Sequence, residues 1–237
     1  MNHRSPVKLL IHGASGRMGR ALVRLCAEHD ACTVVAAVAR RVEQRVVDGV
    51  PQFGGKELHG VPAFDVAVDF SLPEALDPIL SLCVERGSGF LSGTTGLAGG
   101  QREAMAAASR RIPLLWAANF SLGVAVLEDL VERAAASLPG WDCDIVEAHH
   151  ANKQDAPSGT ALTLGAATER GGAAPSYASL RAGDIIGEHT VQFTGAGERI
   201  ELIHRAGSRD IFARGALHAA ARLAGREPGQ YRLRDLL

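Results

Sequence analysis

The sequence lacks an excess of charge of either sign. Its 25 Lys and Arg against 26 Asp and Glu leave a formal charge of -1, which argues against an overall basic surface of the kind that holds nucleic acid. A local positive pocket remains open, because net charge says nothing about distribution. The four cysteines, Cys26, Cys32, Cys83 and Cys143, form no C-x-x-C pair, so neither a zinc cluster nor a disulfide framework is expected. No run approaches the ~18 apolar residues of a membrane span, and no apolar leader precedes Val7, so a cytoplasmic protein is expected. Internal repeats and low-complexity segments are also missing. What is present is ordinary for a globular chain: 46% hydrophobic and 22% charged residues over 237 positions, enough for one domain or two.

The β-branched and leucine run Val7 to Ile11 ends in Gly13-Ala14-Ser15-Gly16-Arg17-Met18-Gly19, and an amphipathic stretch follows to Cys26. Strand, glycine turn and helix in this order make a variant of the dinucleotide fingerprint, in which amides at a helix N-terminus receive a pyrophosphate. A glycine turn kept only for tight packing would look similar, but it would not need to open the chain after a strand. A second strand, Thr33 to Val38, leads to Ala39, Arg40 and Arg41. A Rossmann unit places a ribose-binding carboxylate at about this point. Here two guanidinium groups stand instead, suited to a 2'-phosphate, so NADPH is expected over NADH, with NADH still possible.

Residues 42–60 read as an irregular connection. Val66 to Phe70 has a buried-strand pattern, and Ser71-Leu72-Pro73-Glu74 predicts a capping box opening a helix to about Arg86. Further strands at Gly89 to Ser92 and Pro113 to Ala117 deliver the small polar loops Gly93-Thr94-Thr95-Gly96 and Ala118-Asn119-Phe120-Ser121 to one sheet edge. Gly123 to Ser137 is expected as a helix, with Val124, Leu127, Leu130, Val131 and Ala134 facing the core. Beyond it the βαβ alternation stops. Strands at Cys143 to Ala148, Tyr177 to Arg181, Glu188 to Thr194 and Ile200 to His204 predict a mixed or antiparallel sheet, and a helix follows from Asp210.

The stretch Glu147 to Ala161, EAHHANKQDAPSGTA, concentrates the chemistry. Adjacent strand residues face opposite ways, so His149 and His150 can serve one ligand only if the strand ends at the pair. Ser158-Gly159-Thr160 opens a helix whose first amides favour an anion, and Lys153 adds a fixed cation. A neighbouring histidine titrates near neutrality. This combination suits proton transfer to an anionic substrate. A metal site is not expected, since H-E-x-x-H is missing and Lys153 would oppose a cation.

The blocks GASGRMG, VDFS, SGTTG, AANFS, EAHHANKQDAPSGTA, RAGDIIGEHTVQF, GERIELIHRAGSR and PGQY resemble those of the dihydrodipicolinate reductase family, across nearly the whole chain. The resemblance implies an α/β architecture in two parts. Residues 1–119 and 210–237 would form a Rossmann dinucleotide-binding domain, and residues 120–209 an α+β substrate-binding and oligomerisation domain with a mixed sheet. It implies NAD(P)H-dependent reduction of a cyclic, dicarboxylated imine in lysine and diaminopimelate biosynthesis, by a homo-oligomer, a tetramer in the family. By motif, Gly13, Ser15, Gly16, Arg17 and Met18 would lie at the cofactor pyrophosphate and Arg40 at the adenosine ribose. Phe70, Gly93, Thr95, Ala117, Asn119 and Phe120 would line the nicotinamide side, with Thr95 also near substrate. His149 would donate the proton, Lys153 would clamp the substrate, and His150, Ser158, Gly159 and Thr160 would hold its carboxylate.

Two departures stand out. The family commonly has an acidic residue where this chain has Ala39, and the short segment Gly171 to Ser179 replaces a longer, arginine-rich loop that helps build the tetramer. Two other readings remain: a related two-domain amino-acid dehydrogenase, and a dinucleotide sensor that has lost its chemistry. The intact His149, His150 and Lys153 weigh against the sensor.

Overall fold

A computed structural model describes residues 5–237; residues 1–4, at the start of the expected first domain, lie outside the described residues. In chain order the elements are β1 (Val7–His12), α1 (Arg17–Cys26), β2 (Cys32–Ala39), β3 (Val46–Val47), β4 (Val50–Gly54), β5 (Val66–Asp69), α2 (Leu76–Arg86), β6 (Gly89–Ser92), α3 (Gly99–Ala108), β7 (Pro113–Trp116), α4 (Leu122–Ser137), β8 (Asp142–His149), α5 (Gly159–Arg170), β9 (Pro175–Arg181), β10 (Glu188–Gly195), β11 (Glu198–Arg205), α6 (Asp210–Leu223) and β12 (Gly229–Tyr231). They gather into two compact units: the chain up to Phe120 with Phe212–Leu237, and Ser121–Ile211. No helix among the described residues is long and apolar enough to cross a membrane.

The first unit is a sheet in the order β12-β7-β6-β5-β1-β2-β4-β3, parallel throughout except for the β3/β4 hairpin. Parallel strands covered on both faces need continuous apolar runs, and Leu9, Leu10, Ile11, Val66, Ala67 and Val68 are all fully buried. Strand order reverses around β1: β2 and β4 extend one way, and β5, β6 and β7 the other. The loops after β1, β2 and β5 therefore meet at a topological switch point, where open α/β sheets bind ligands. The architecture is the Rossmann-like one expected from the sequence.

The second unit is a four-stranded mixed sheet, β11-β10-β8-β9, antiparallel except for the parallel β8/β9 pair. Alternate residues Cys143 and Ile145 of β8 and Val191 and Phe193 of β10 face a core completed by Leu127 and Val131 of α4 and Leu164 and Ala167 of α5. Gly171 lets those two helices close together, since a Cβ there would lie 2.5 Å from the Ala135 methyl.

Four local expectations need correction. Within 42–60 the structure has β3, β4 and a 3-10 turn rather than an irregular connection. Strand β4 is short, carries Pro51 and is only half-buried, so it shows no alternation. The Ser71 capping box does not form. Ser71 donates its amide to Thr94 Oγ1 and its hydroxyl to the Leu72 carbonyl, and a 3-10 turn at Pro73–Ala75 precedes α2. The helix α3 was not expected from the sequence; its glycine start hides it, and Gln101 caps it by accepting the Ala98 amide. Leu130, expected in the core, is 44% exposed, because the apolar stripe of α4 is wider than the surface the sheet and α5 cover.

Candidate active site

In the first unit the glycine turn brings backbone close to backbone. Gly13 has φ +78°, and a Cβ there would stand 2.4 Å from the Phe70 carbonyl oxygen. A Cβ at Gly19 would lie 2.4 Å from the Gly13 oxygen, so α1 can press against the turn only with glycine at that position. Gly16 is the N-cap of α1 and offers no side chain to its first amides. An anion can satisfy amides left in this way. A cavity of about 440 Å³ opens here, lined among others by Gly13, Ser15, Gly16, Arg40, Lys56 and Phe70. Ala39 lines it too, buried at the end of β2, and Glu74 supplies a carboxylate on the α2 side. Arg17 and Met18 sit in the first turn of α1 and are not among the lining residues.

Lys56 had no role in the sequence reading. Its position follows from a non-local pairing: β4 runs parallel to β2 with Gly54 beside Ala39, which carries Gly55 and Lys56 to the edge that holds Arg40.

The loops after β5, β6 and β7 are fixed by a buried hub. Asp69, fully buried, accepts hydrogen bonds from Ser92 Oγ and Thr94 Oγ1 and pairs with His12 Nδ1, each at 2.8 Å. Burial would raise the carboxyl's pKa, but His12 and the hydroxyls outweigh it and hold it below the usual range. Above the hub, Phe70 packs edge-on against Phe120 at 5.4 Å, and a Cβ at Gly93 would meet the Phe70 ring at 2.2 Å. The Ala117 amide bonds to the Ser92 carbonyl. Asn119 is half-buried beside Phe120, and Thr95 is exposed outside the lining of the cavity.

In the second unit β8 ends at His149, so His150 already belongs to the following turn and is half-buried. Glu147 and His149 are two residues apart on one strand and share its buried face. Glu147 bonds His149 Nδ1 at 2.5 Å and takes both guanidinium nitrogens of Arg181, at 2.9 and 2.6 Å. Burial would raise the Glu147 carboxyl, yet Arg181, Ser179 and His149 bring it down to about 2. His149 lies below the ordinary imidazole value: burial lowers it, Glu147 raises it, and the charges of Lys153 and Arg181 lower it. His189, beside Glu147 in the β10 register, meets the His149 ring edge-on at 5.2 Å and is pushed down to about 4, mainly by burial.

The loop after β8 carries Lys153, whose Nζ pairs with Asp155 at 2.7 and 2.9 Å. Ser158 caps α5 by accepting the Ala161 amide, and its Oγ meets His189 Nε2 at 3.1 Å. Gly159 and Thr160 form the first turn of α5, with open space around the Gly159 α-carbon. The second unit thus gathers His149, Lys153 and Ser158 with three residues the sequence reading did not single out: Glu147, Arg181 and His189. Glu147 lay inside the EAHH block; Arg181 and His189 come from other strands and leave no local signal.

The family model described as dihydrodipicolinate reductase, N-terminus matches residues 7–120, and that for the C-terminus matches residues 123–237. Over 237 residues the chain is 70% identical to a 4-hydroxy-tetrahydrodipicolinate reductase of Stenotrophomonas maltophilia (strain R551-3), covering 99% of each chain. It is 70% identical over 234 residues to one of Xanthomonas campestris pv. campestris (strain B100), covering 98% of each. Among solved structures, the dipicolinate-bound dihydrodipicolinate reductase from Paenisporosarcina sp. TG-14 superposes with a TM-score of 0.83 at 21% identity, over 98% of this chain and 100% of that one. A diaminopimelate dehydrogenase of C. glutamicum shares the fold more loosely, with a TM-score of 0.60 at 14% identity over 99% and 95% of the chains. With both halves matched by one family's models and whole-length relatives at this identity, the chain belongs to the dihydrodipicolinate reductase family.

Proposed function

We propose that this chain is a cytoplasmic, NADPH-preferring 4-hydroxy-tetrahydrodipicolinate reductase of lysine and diaminopimelate biosynthesis, working as a homo-oligomer. The first unit serves as the dinucleotide-binding domain and the second as the substrate and oligomerisation domain. The glycine cradle fits a pyrophosphate, because Gly16 at the N-cap offers no side chain to the first amides of α1. Ser15, Arg17 and Met18 would flank it. Arg40, with Lys56 in the same cavity and Ala39 in place of a carboxylate, suits a 2'-phosphate. Phe70, Gly93, Thr95, Ala117, Asn119 and Phe120 would shape the nicotinamide end. When bound, the reduced nicotinamide supplies a hydride to a ring carbon of the substrate.

The chain's own part is binding and proton transfer. Lys153 and the N-terminus of α5, with His150, Ser158, Gly159 and Thr160, would hold the carboxylates of a cyclic imine. Loss of the 4-hydroxyl together with a proton from the adjacent ring carbon would release water, and His149 Nε2 would then give its proton to that adjacent carbon, next to the one that takes the hydride. The observation that carries this reading is the hydrogen bond from His149 Nδ1 to Glu147, which commits one ring nitrogen to the protein and leaves the other for chemistry.

The test is oxidation of each nucleotide in the presence of freshly condensed pyruvate and aspartate semialdehyde. Turnover with that product, faster with NADPH, is expected. No turnover with it, but turnover with a simple α-keto or α-amino acid, would favour the amino-acid dehydrogenase reading.

A further inference from the structure

The Glu147 carboxylate is more heavily bonded than holding one histidine requires. Its side chain is fully buried. It meets His149 Nδ1, both terminal nitrogens of Arg181, and the Ser158 amide at 3.2 Å. Arg181 also donates to the Asp155 carbonyl at 2.6 Å, so the same guanidinium ties the carboxylate to the loop that carries Lys153. Register explains how these groups meet: Arg181 of β9 lies beside His149, and Ser179 beside Glu147. A buried ion pair is weak evidence for stability, because desolvation offsets much of the attraction. The arrangement has a clearer use in the state of the imidazole it surrounds.

We propose that Glu147 and Arg181 are positioning residues: Glu147 fixes the tautomer and orientation of His149, and Arg181, by sharing both carboxylate oxygens, limits how firmly that carboxylate holds the imidazolium. The proposal rests on His149 as the proton donor. With the Nδ1 proton directed at Glu147, the proton that leaves the imidazolium is the one on Nε2, and the neutral ring keeps its orientation for the next cycle. No proton needs to pass to Glu147. The charged and titratable groups facing His149 are Glu147 on its own strand, Arg181 from β9, His189 from β10 and Lys153 from the loop. Glu147 alone among them favours the protonated ring. Left unopposed, it would keep the proton; with Glu147 neutralised, the remaining groups would expel it.

The two residues therefore act on His149 in opposite directions, which a simple staple between strands would not do. Nitrogen-detected NMR of His149 during a pH titration reads tautomer and protonation without reference to turnover. In the unsubstituted protein the neutral ring is expected with its proton on Nδ1. In Glu147→Gln the His149 midpoint should fall, and in Arg181→Gln it should rise, each by about one pH unit, with Arg181→Lys returning part of the way. An unchanged midpoint and tautomer in Glu147→Gln would overturn the proposal. If that variant does not fold, an unchanged or lowered midpoint in Arg181→Gln would overturn it equally. Turnover measured against pH separates the underlying reading. If the midpoints move apart as stated while the turnover profile stays fixed, the network stands and His149 is not the donor.

Discussion

The ammonium of Lys153 is paired with Asp155, two residues further along the same loop, at 2.7 Å. The pair draws the Asp155 carboxyl below its usual range, chiefly through the Lys153 hydrogen bond. A substrate carboxylate held by Lys153, as proposed, would therefore compete with an internal one for this cation. Asp155 is largely exposed, and exposed pairs contribute at most about 1 kcal/mol, so Asp155→Asn should tighten dicarboxylate binding about two- to fivefold. Isothermal titration with pyridine-2,6-dicarboxylate measures this. Weaker binding in that variant would mean that Asp155 supports the bound state instead.

Removing the cation itself should have a larger effect. Lys153→Ala is expected to lower kcat/KM by on the order of a hundred- to a thousandfold, as loss of a preorganised charge at a reacting centre does. Binding of NADPH, measured by fluorescence, should remain within twofold or so of the parent. Turnover that survives the substitution would remove Lys153 from the substrate site.

Arg40→Ala and Lys56→Ala probe the other end of the reaction. A charge-assisted bond is worth about 1.5–3 kcal/mol, so loss of Arg40 should weaken NADPH binding by roughly ten- to a hundredfold and leave NADH nearly unchanged. Lys56→Ala should act in the same direction, more weakly. Equal losses for both nucleotides would place these side chains away from the 2'-phosphate.

Acid stability should follow His189. Its folded value, near 4, lies well below the ordinary 6.5, so the unfolded chain takes up a proton there that the folded one refuses. Stability from this group is complete above pH 6.5 and declines as pH falls toward 4, by up to about 3 kcal/mol. His149, lowered in the same direction, adds to the decline, whereas Glu147 responds only below the ordinary carboxylate range. Urea titrations between pH 7 and 4.5 should show a drop in midpoint, and His189→Gln should flatten it. An equally steep slope in that variant would assign the effect to other groups.

Gly13→Ala should be costly in the absence of any ligand. The new methyl would meet the Phe70 carbonyl at 2.4 Å in a backbone conformation that side chains avoid, so a loss on the order of 2 kcal/mol or more is expected in chemical denaturation. An unaltered midpoint would show that β5 can retreat.

What the sequence revealed depended on how local each feature is. The glycine turn was legible because Gly13, Gly16 and Gly19 act within seven residues, and the end of β8 because its histidine pair runs directly into a polar loop. Helix α3 was hidden by its two opening glycines, and Ser71 looked like a cap until Thr94, 23 residues later, took its amide. Lys56, Arg181 and His189 escaped for one shared reason. Each reaches its cluster through strand pairing, and register between distant strands leaves no mark on the residues nearby.

The small strand β12 pairs with β7, joining Gln230 to Leu114 across the entire intervening unit. The first sheet therefore cannot be completed until the second unit has left the ribosome. Its partner edge at β7 must wait, unpaired, while about a hundred residues are synthesised, a period of some 5–20 s at ordinary elongation rates. An exposed edge of this kind invites association with other chains, so chaperone demand during synthesis should concentrate on β7, and deletion of the segment from Gly229 onward should raise aggregation before it affects the cofactor cleft.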